Sequence, residues 1–480
     1  MRDGGLWLVF LTLMWTGLDS TAQATKPTES ESVSLVQATL GLDLTVDYNR
    51  PAIIGTATLT LANNGSGPVR EVPLLLNQLM SIRGVTDDHQ RRQQWTSVIS
   101  IFEDDPFPQV VATTVELAQP VPPGGRIVLR VNYEGPLVGY TETGSFYIKD
   151  RIDQEFTIIR SDALAFPIVG VTSRTANRAM KQEPFDFEAR ISVPAEEVVA
   201  TGGELRGREV AGSRAVYSFA GRQVPFLNIA IAPYKVAEEA GIRVYALPAD
   251  AARAGIILDA GRQALTRLEG WYGPLATKPR VTVIEIPEGF GSQASATAGI
   301  ILDAAAFKDK AQLPQFYHEL SHFWNPPDLD VPSPRWNEGL AMYLQFRLAR
   351  EIDGFAGTSA TIERARSRVC AAEAKRDLAR VPFARFGAEG RTDFAYTVGF
   401  LMFSGLETLM GESDLDRGFR QYVQAHQGKG GTTADLLAAL SGASGSKATS
   451  AFLHDWMETT EWIGPVCDAP TFSDALARWR

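Results

Sequence analysis

The sequence predicts a multi-domain protein in which an N-terminal all-β domain, a sandwich or saddle, precedes an α+β domain. Its 480 residues are too many for one ordinary core. Between residues 35 and 236, short runs rich in β-branched and aromatic residues alternate with turn clusters. From residue 237 onward the spacing of apolar residues becomes helical in several segments. Apolar residues make up 45% of the chain and charged residues 21%, as in most globular proteins.

The first 24 residues have the pattern of a secretory signal peptide. Arg2 precedes an apolar stretch from residue 6 to residue 18, which is shorter than the roughly 20 residues of a membrane span. Ala22-Gln23-Ala24 then provides a cleavage site of the A-x-A type. The alternative is an uncleaved membrane anchor. We predict cleavage after Ala24, a disordered polar linker over residues 25–34, and a secreted or periplasmic protein without a membrane span.

Charge and cysteine content restrict the partners and the compartment. The 46 Lys and Arg residues are outnumbered by 56 Asp and Glu residues, and the net charge of -10 makes nucleic acid a poor partner. The chain has two cysteines, Cys370 and Cys467. In an exported protein we expect them to form one disulfide, and the alternative is a pair of buried free thiols. The oligomeric state stays open.

The predicted N-terminal β domain covers residues 35–236. Its clearest strand-like runs are residues 40–46, 54–61, 127–133, 185–193 and 216–219. Turn clusters rich in Gly, Pro and Asn separate them at residues 63–68, 122–125 and 202–203. Many short strands with frequent turns are typical of antiparallel sheets that pack on one another.

The predicted second domain covers residues 237–480. Residues 250–272 have apolar positions on one helical face, and Gly273-Pro274 should end that helix. A strand over 280–286, a loop of small residues over 289–295 and a strand over 299–303 follow. Helices are then expected over 311–324 and 337–352, and further helices over most of the remaining chain.

The strongest chemical signal is the H-E-x-x-H sequence formed by His318, Glu319 and His322. On a helix, positions i and i+4 share a face, so both imidazoles can bind one metal ion. Glu319 lies one residue further along and can take a proton from an attacking water without being a ligand. A chance match on a surface helix is disfavoured, because the chain has only 5 His. Glu338, in the first turn of the next predicted helix, is a candidate third ligand.

Residues 336–345, WNEGLAMYLQ, resemble the W-L-N-E-G-F-A-x-Y segment of the aminopeptidase N family of zinc metallopeptidases, which are gluzincins. The similarity extends to residues 185–203 and 243–248 and to the segment WYGPLATKPRVTVIEIPEGFG, and so covers most of residues 35–430. It implies a thermolysin-like α+β catalytic domain and Zn²⁺ as the cofactor. The chain would be a short form that lacks the family's C-terminal domains.

The resemblance also implies a role for individual residues. His318, His322 and Glu338 would be the zinc ligands, and Glu319 the general base. Tyr396 would stabilise the tetrahedral intermediate, whereas the competing tyrosines Tyr317 and Tyr343 are expected to be packing groups. By the same resemblance, the strand over 299–303 would pair with the substrate backbone. Asp328 or Asp330 is a candidate to orient a ligand imidazole.

The sequence departs from the family pattern in two places. The 15 residues between His322 and Glu338 form a shorter connection than is usual in the family, and prolines should shape it. The family loop that holds the substrate's free amino group through a Glu aligns with Gly291, Ser292 and Gln293, and Gln293 or Ala294 stands at the acidic position. Because a neutral residue cannot pair with an ammonium group, we expect altered recognition of the substrate N-terminus. The nearby Glu285 and Glu288 are possible substitutes.

The sequence therefore predicts an exported zinc-dependent metallopeptidase that hydrolyses peptides or proteins and is aminopeptidase-like. Two alternatives stay open at this stage. One is a zinc hydrolase that acts on a substrate other than a peptide, and the other is a non-catalytic protein that keeps the aminopeptidase N fold.

Overall fold

β-Strands form most of the chain up to residue 239, in agreement with the predicted N-terminal β domain. The computed structural model describes residues 34–140, 150–179, 184–276, 280–289, 291–295, 297–330, 336–373, 381–387 and 391–480. The predicted signal peptide and residues 25–33 of the predicted linker lie outside the described residues.

The strands of the first half include the five predicted runs, and most are longer than predicted. In chain order they are β1 (Leu35–Asp47), β2 (Ala52–Asn63), β3 (Val69–Asn77), β4 (Ser81–Asp87), β5 (Gln94–Phe102), β6 (Asp105–Val121), β7 (Arg126–Gly135), β8 (Thr157–Arg160), β9 (Ile168–Val169), β10 (Phe185–Pro194), β11 (Val198–Ala200), β12 (Glu204–Ala211), β13 (Arg214–Val224) and β14 (Asn228–Ala232). A short helix, α1 (Arg174–Ala179), precedes β10.

These strands form three sheets in the described part of the chain. The largest has the order β12-β13-β10-β1-β2-β7-β4, and the other two have the orders β5-β6-β3-β9 and β11-β14-β8. In the central strand β1, Leu40, Leu42, Leu44 and Val46 are buried, and the residues between them are more exposed. This period of two puts the apolar side chains of β1 on one face, where the sheets pack on a common core.

A second sheet system begins at β15 (Lys235–Glu239) and belongs to the second half. Its remaining strands are β16 (Ile242–Ala246), β17 (Val281–Ile286), β18 (Gln293–Ser295) and β19 (Gly299–Asp303), in the order β15-β16-β17-β19-β18. Every residue of β17 and β19 is buried, because the sheet is covered on both faces. The predicted boundary between residues 236 and 237 falls inside β15 and stays a prediction.

The short strand β18 differs from the sequence-based expectation of a loop over 289–295. Gln293 and Ser295 pair antiparallel with Ile301 and Gly299 of β19, so the small residues add one strand to the sheet. Periodicity could not predict this strand, because three residues of intermediate burial carry no alternating pattern.

Helices form most of the remaining chain, as predicted. They are α2 (Ala254–Tyr272), α3 (Ala305–Lys308), α4 (Leu313–Ser321), α5 (Trp336–Asp353), α6 (Thr358–Glu373), α7 (Thr392–Met410), α8 (Glu412–His426), α9 (Thr433–Ser444), α10 (Lys447–Met457), α11 (Ile463–Asp468) and α12 (Phe472–Ala475). Five 3₁₀ turns accompany them, at Ala251–Arg253, Lys310–Gln312, His322–Trp324, Phe383–Arg385 and Leu476–Trp479. Among the described residues, no helix combines the length and the apolarity that crossing a membrane requires.

The disulfide predicted between Cys370 and Cys467 is present and joins α6 to α11. Arg366, one turn before Cys370, donates hydrogen bonds to the backbone oxygens of Val466, Ala469 and Pro470. The C-terminal segment is thus tied to the helical core both covalently and by a guanidinium group.

A separate core lies between the two halves of the chain. Phe156, Ile158 and Tyr234 from the first half pack with Tyr245 and Ile284 from the second. The backbones also approach closely: a β-carbon on Gly202 would lie 2.0 Å from the carbonyl oxygen of Ala298. This position therefore requires a glycine, and the segment before β19 is packed directly on the N-terminal half.

Candidate metal site

Helix α4 carries the H-E-x-x-H residues on the predicted face. Pro314 stands in its first turn, where its missing N–H is not needed. Phe316, Tyr317 and Leu320 are fully buried in the core behind the helix. The opposite face presents His318 and His322, whose ring centroids lie 5.0 Å apart. The helix tightens into a 3₁₀ turn at His322, so the second imidazole stands at the end of a rigid segment.

Glu338 brings a carboxylate to these imidazoles from the first turn of α5. Its Oε2 lies 3.2 Å from Nε2 of His318 and 3.4 Å from Nε2 of His322. The possible ligand atoms of the three residues all lie within 4.8 Å of one another. Two imidazole nitrogens and one carboxylate oxygen are a donor set that zinc prefers, and three protein ligands are the number found in catalytic zinc sites. The residues therefore fit a catalytic zinc ion.

The side-chain amides of Gln345 and Asn325 contact the two imidazoles, whereas the sequence had suggested Asp328 or Asp330 for this role. Nδ1 of His318 lies 2.9 Å from Oε1 of Gln345, and Nδ1 of His322 lies 3.1 Å from Nδ2 of Asn325. An imidazole that binds a metal through Nε2 carries its proton on Nδ1 and needs an acceptor there. Gln345 provides one.

Asn325 can provide the second acceptor by a half turn of its amide. Its Oδ1 is buried and has no hydrogen-bond partner, and its Nδ2 faces both His322 and the backbone oxygen of Asn337. Rotation would bring Oδ1 to Nδ1 of His322, in exchange for the hydrogen bond that Nδ2 donates to Asn337. The unpartnered oxygen is therefore consistent with an imidazole that acts as a metal ligand.

The two glutamates of the site differ in electrostatics. Burial raises the pKa of Glu319 to about 7; the charge of His318 opposes this rise and the Glu338 carboxylate adds to it. Burial would also raise the pKa of Glu338, but the charges and hydrogen bonds of His322 and His318 hold it well below its ordinary value. Glu338 is thus a permanent carboxylate, whereas Glu319 can exchange a proton near neutral pH.

Tyr396 of α7 stacks on the His318 ring, with the centroids 5.8 Å apart and the planes at 16°. Its position depends on a crossing of α5 and α7 at Gly339 and Gly399, which follow Glu338 and Tyr396 by one and three residues. A β-carbon on Gly339 would lie 2.3 Å from Cα of Gly399. The two glycines therefore bring the helices that carry the carboxylate and the phenol together.

The competing tyrosines are packing groups, as expected. Tyr317 is fully buried and donates a hydrogen bond of 2.8 Å to Asp353. Tyr343 is buried in the same core, where its ring lies 6.2 Å from that of Phe403.

The predicted recognition loop lies beside this site, because β18 packs against α4 and the following 3₁₀ turn. Ser292 is almost fully buried: its Oγ accepts a hydrogen bond of 2.7 Å from Gln315 and one of 3.3 Å from the backbone of Asp303. Gly291 is only partly buried. β18 is also the edge of the sheet nearest α4, and β19 lies inside the sheet. The expectation that β19 pairs with the substrate is therefore wrong, since both its edges are already occupied.

Gln293 contacts two residues of the N-terminal half that sequence reasoning missed. Its Nε2 donates to Oδ2 of Asp162 at 2.8 Å, and its Oε1 accepts from Asn228 at 3.0 Å. Asp162 also accepts from the buried Arg160 at 3.2 Å. No sequence signal joined these residues, because 131 positions separate Asp162 from Gln293.

The two glutamates considered as substitutes for the missing acid are held elsewhere. Glu285 is fully buried, and its Oε2 accepts a hydrogen bond from the backbone N–H of Leu247 at 2.6 Å. Glu288 is exposed and forms an ion pair of 2.9 Å with Lys308.

Residues 297–456 match the Peptidase family M1 domain. The chain carries a peptidase family M1 domain. The match covers a third of the chain, and it confirms the resemblance to zinc metallopeptidases, which are hydrolases, found in the sequence. Because M1 enzymes use zinc, the group formed by His318, His322 and Glu338 is a candidate zinc site.

Solved structures of M1 enzymes share the fold of most of this chain. The M1 zinc metallopeptidase from Deinococcus radiodurans is 18% identical and matches with a TM-score of 0.61 over 88% of this chain and 93% of that chain. A glutamate-to-alanine mutant of the enzyme from the same organism, bound to a Tyr-Ser-Ala substrate, is 18% identical, with a TM-score of 0.63 over 88% and 94% of the two chains.

A third structure is described as a two-domain M1 zinc metallopeptidase bound to L-arginine. It is 20% identical, with a TM-score of 0.61 over 88% of this chain and 94% of that chain. These similarities confirm the fold, a β-rich domain followed by a helical catalytic domain, as in two-domain M1 enzymes. No curated protein sequence matches this chain.

Proposed function

We propose that the protein is an exported zinc metallopeptidase that hydrolyses peptide bonds and recognises the substrate N-terminus differently from a typical aminopeptidase. One observation carries the peptidase part: two imidazoles and a carboxylate converge within 4.8 Å, beside the buried carboxyl group of Glu319. The M1 domain supports the same assignment.

In this proposal His318, His322 and Glu338 hold the metal. Zinc at this position would polarise the scissile carbonyl and lower the pKa of a coordinated water. Glu319 takes the proton of the attacking water and gives it to the leaving amine, a role for which a buried carboxylate beside the metal ligands is suitable. The Tyr396 hydroxyl donates a hydrogen bond to the developing oxyanion, which is worth about 3 kcal/mol for a single such donor.

The altered recognition follows from the charges around Gln293. An acid at this position would make a charge-assisted hydrogen bond with the substrate ammonium group, worth roughly 1.5–3 kcal/mol. Gln293 provides no charge, Glu285 is buried, and Glu288 is paired with Lys308. The nearest described acid, Asp162, shares its Oδ2 between Arg160 and Gln293. A free N-terminus should therefore gain little over a blocked one.

Hydrolysis of a mixed peptide library, with and without a chelator, tests the peptidase assignment. We expect cleavage that stops on chelation and returns with zinc. The matched variant is Glu319→Gln, which keeps the size of the side chain but cannot accept a proton. It should keep one zinc per chain and lose a hundredfold or more in turnover. Loss of zinc together with activity would make Glu319 structural, and no cleavage by the zinc-loaded wild type would favour a non-catalytic or non-peptide role.

Matched peptides with free and acetylated N-termini test the recognition. We expect their kcat/KM values to differ by much less than a hundredfold, which corresponds to about 2.7 kcal/mol. A larger preference for the free amine would contradict the proposal. Asp162→Asn would then show whether Asp162 supplies the charge, since the preference should disappear in that variant alone.

Export has its own test. The protein recovered from the periplasm or the medium should begin at Thr25, which N-terminal sequencing would reveal. Recovery of a chain that still begins at Met1 from the membrane fraction would support the uncleaved anchor.

A further inference from the structure

A cavity of about 490 Å³ lies between the two halves of the chain, at the sheet edge opposite β18. This is within the usual range for small-molecule sites. One wall comes from β11, β12 and β13 of the N-terminal half, and the other from β15, β16 and the start of β17. The charged and aromatic side chains that matter here are Arg208, Tyr217, Arg243, Tyr245 and Arg280.

The strand registers explain why these side chains meet. Arg243 and Tyr245 are two residues apart in β16 and so share one face of the sheet. Arg243 pairs with Thr282 of β17, and Arg280, two residues earlier, points to the same face. On the other wall Arg208 of β12 pairs directly with Tyr217 of β13. Two separate sheets thus place guanidinium and phenol groups around one space.

The positive charge in the cavity is only partly compensated. Arg243 forms an ion pair of 2.7 Å with Glu238, and the lining acid Glu204 is paired at 3.1 Å with Arg206, outside the cavity. Arg208, in contrast, donates to two neutral oxygens, the Tyr217 hydroxyl at 2.8 Å and a backbone carbonyl at 2.9 Å.

Arg280 adds a second uncompensated charge. It is exposed, and within the described ranges no ion pair or hydrogen bond involves its side chain. Arg208 and Arg280, which form no ion pair with a carboxylate among the described residues, therefore add positive charge to this cavity, on a chain whose net charge is -10. Positive charge concentrated at one cavity of a negatively charged protein favours an anionic ligand.

We propose that this cavity is a binding site for a phosphate monoester with an apolar or aromatic body. Arg208 and Arg280 bind the phosphate, whose charge of about -2 at neutral pH matches theirs. The apolar body packs against Tyr217, Tyr245 and the partly exposed Val236. The site is separate from the metal centre, because β15 and β18 are opposite edges of one sheet.

Calorimetric titration of the zinc-loaded full-length protein with phenyl phosphate tests the proposal, with inorganic phosphate and benzoate as comparison ligands. We expect saturable binding of one phenyl phosphate per chain, at least tenfold tighter than either comparison ligand. The double variant Arg208→Gln, Arg280→Gln should weaken it by tenfold or more. The matched control is Arg222→Gln, which changes an exposed arginine of β13 outside the cavity and should bind like the wild type.

Circular dichroism and zinc content establish that the double variant is folded. Equal binding by the wild type and the double variant would place the ligand elsewhere, at the metal centre for example, and would overturn the proposal. So would tighter binding of benzoate, or the absence of saturable binding by the wild type.

Discussion

Substitution of Gly399 by alanine should disrupt the metal site indirectly, because it would force α5 and α7 apart where they cross. A β-carbon at this position would lie 2.6 Å from Cα of Gly339 and 3.0 Å from the ring of Phe383, whereas ordinary contacts of a β-carbon begin at 3.4 Å. The obstacle is the backbone of the facing helix, which cannot rotate away. The helices must therefore separate by about 0.8 Å to relieve the contact.

This separation acts on Glu338 and Tyr396 together, because one stands on each helix. Overpacking in a close-packed interior costs about 1–3 kcal/mol of unfolding free energy. Misplacement of a catalytic group by about 1 Å can cost on the order of a hundredfold in rate. We expect Gly399→Ala to denature at lower temperature, to bind zinc more weakly, and to lose at least about tenfold in kcat/KM.

The measurements are thermal denaturation, zinc content after dialysis, and kcat/KM on one peptide. Gly442→Ala is the matched control, because Gly442 lies inside helix α9 and a β-carbon there would meet no atom within 4 Å. That variant should be as active as the wild type and more stable by up to about 1 kcal/mol, from helix propensity alone. If Gly399→Ala kept both the stability and the kcat/KM of the wild type, the helix crossing would not position the site.

The remaining predictions concern the metal ligands and one buried acid. Glu338→Ala should lose most of its zinc on dialysis, since two neutral imidazoles hold the ion weakly; full retention measured by atomic absorption would exclude Glu338 as a ligand. Gln345→Glu should bind zinc about tenfold more tightly, because a carboxylate that accepts from Nδ1 makes His318 a stronger donor, and competition with a chelating dye measures this. Burial raises the pKa of Glu285 to about 8, so the folded state prefers its protonated form. Its contribution to stability is complete below the unfolded pKa of about 4.3 and is lost as the pH rises towards 8, and Glu285→Gln should flatten that fall in urea denaturation series, whereas an unchanged slope would assign it to other groups.

Patterns within short segments of the sequence predicted most of this fold, because helical and strand periodicity depends only on neighbouring residues. The i,i+4 spacing of His318 and His322 determines a shared helical face without reference to any other segment. The alternation in β1 likewise determines which residues are buried. Even Glu338 could be placed, since the first turn of a helix that follows a short connection has few positions available.

The parts that sequence reasoning missed depend on residues that are far apart in the chain. Gln345 and Asn325 orient the imidazoles, but an amide carries no sequence signature of that role. The Asp162–Gln293 hydrogen bond joins two halves whose relative placement follows from packing alone. The close approach of Ala298, just before β19, to Gly202 also joins the two halves, and no local period encodes this contact.

The core shared by the two halves has a consequence for how such proteins can evolve. A catalytic domain that could fold and work alone could recombine freely with unrelated N-terminal domains. Here the sheet that contains β18 is covered by Phe156, Ile158 and Tyr234 of the N-terminal half. Gln293 of β18 also donates a hydrogen bond to Asp162 of that half. Recombination between the halves of two relatives would leave this surface mismatched and partly exposed to water. We therefore expect the two halves to be inherited together, with additional domains joined only at the ends of the pair.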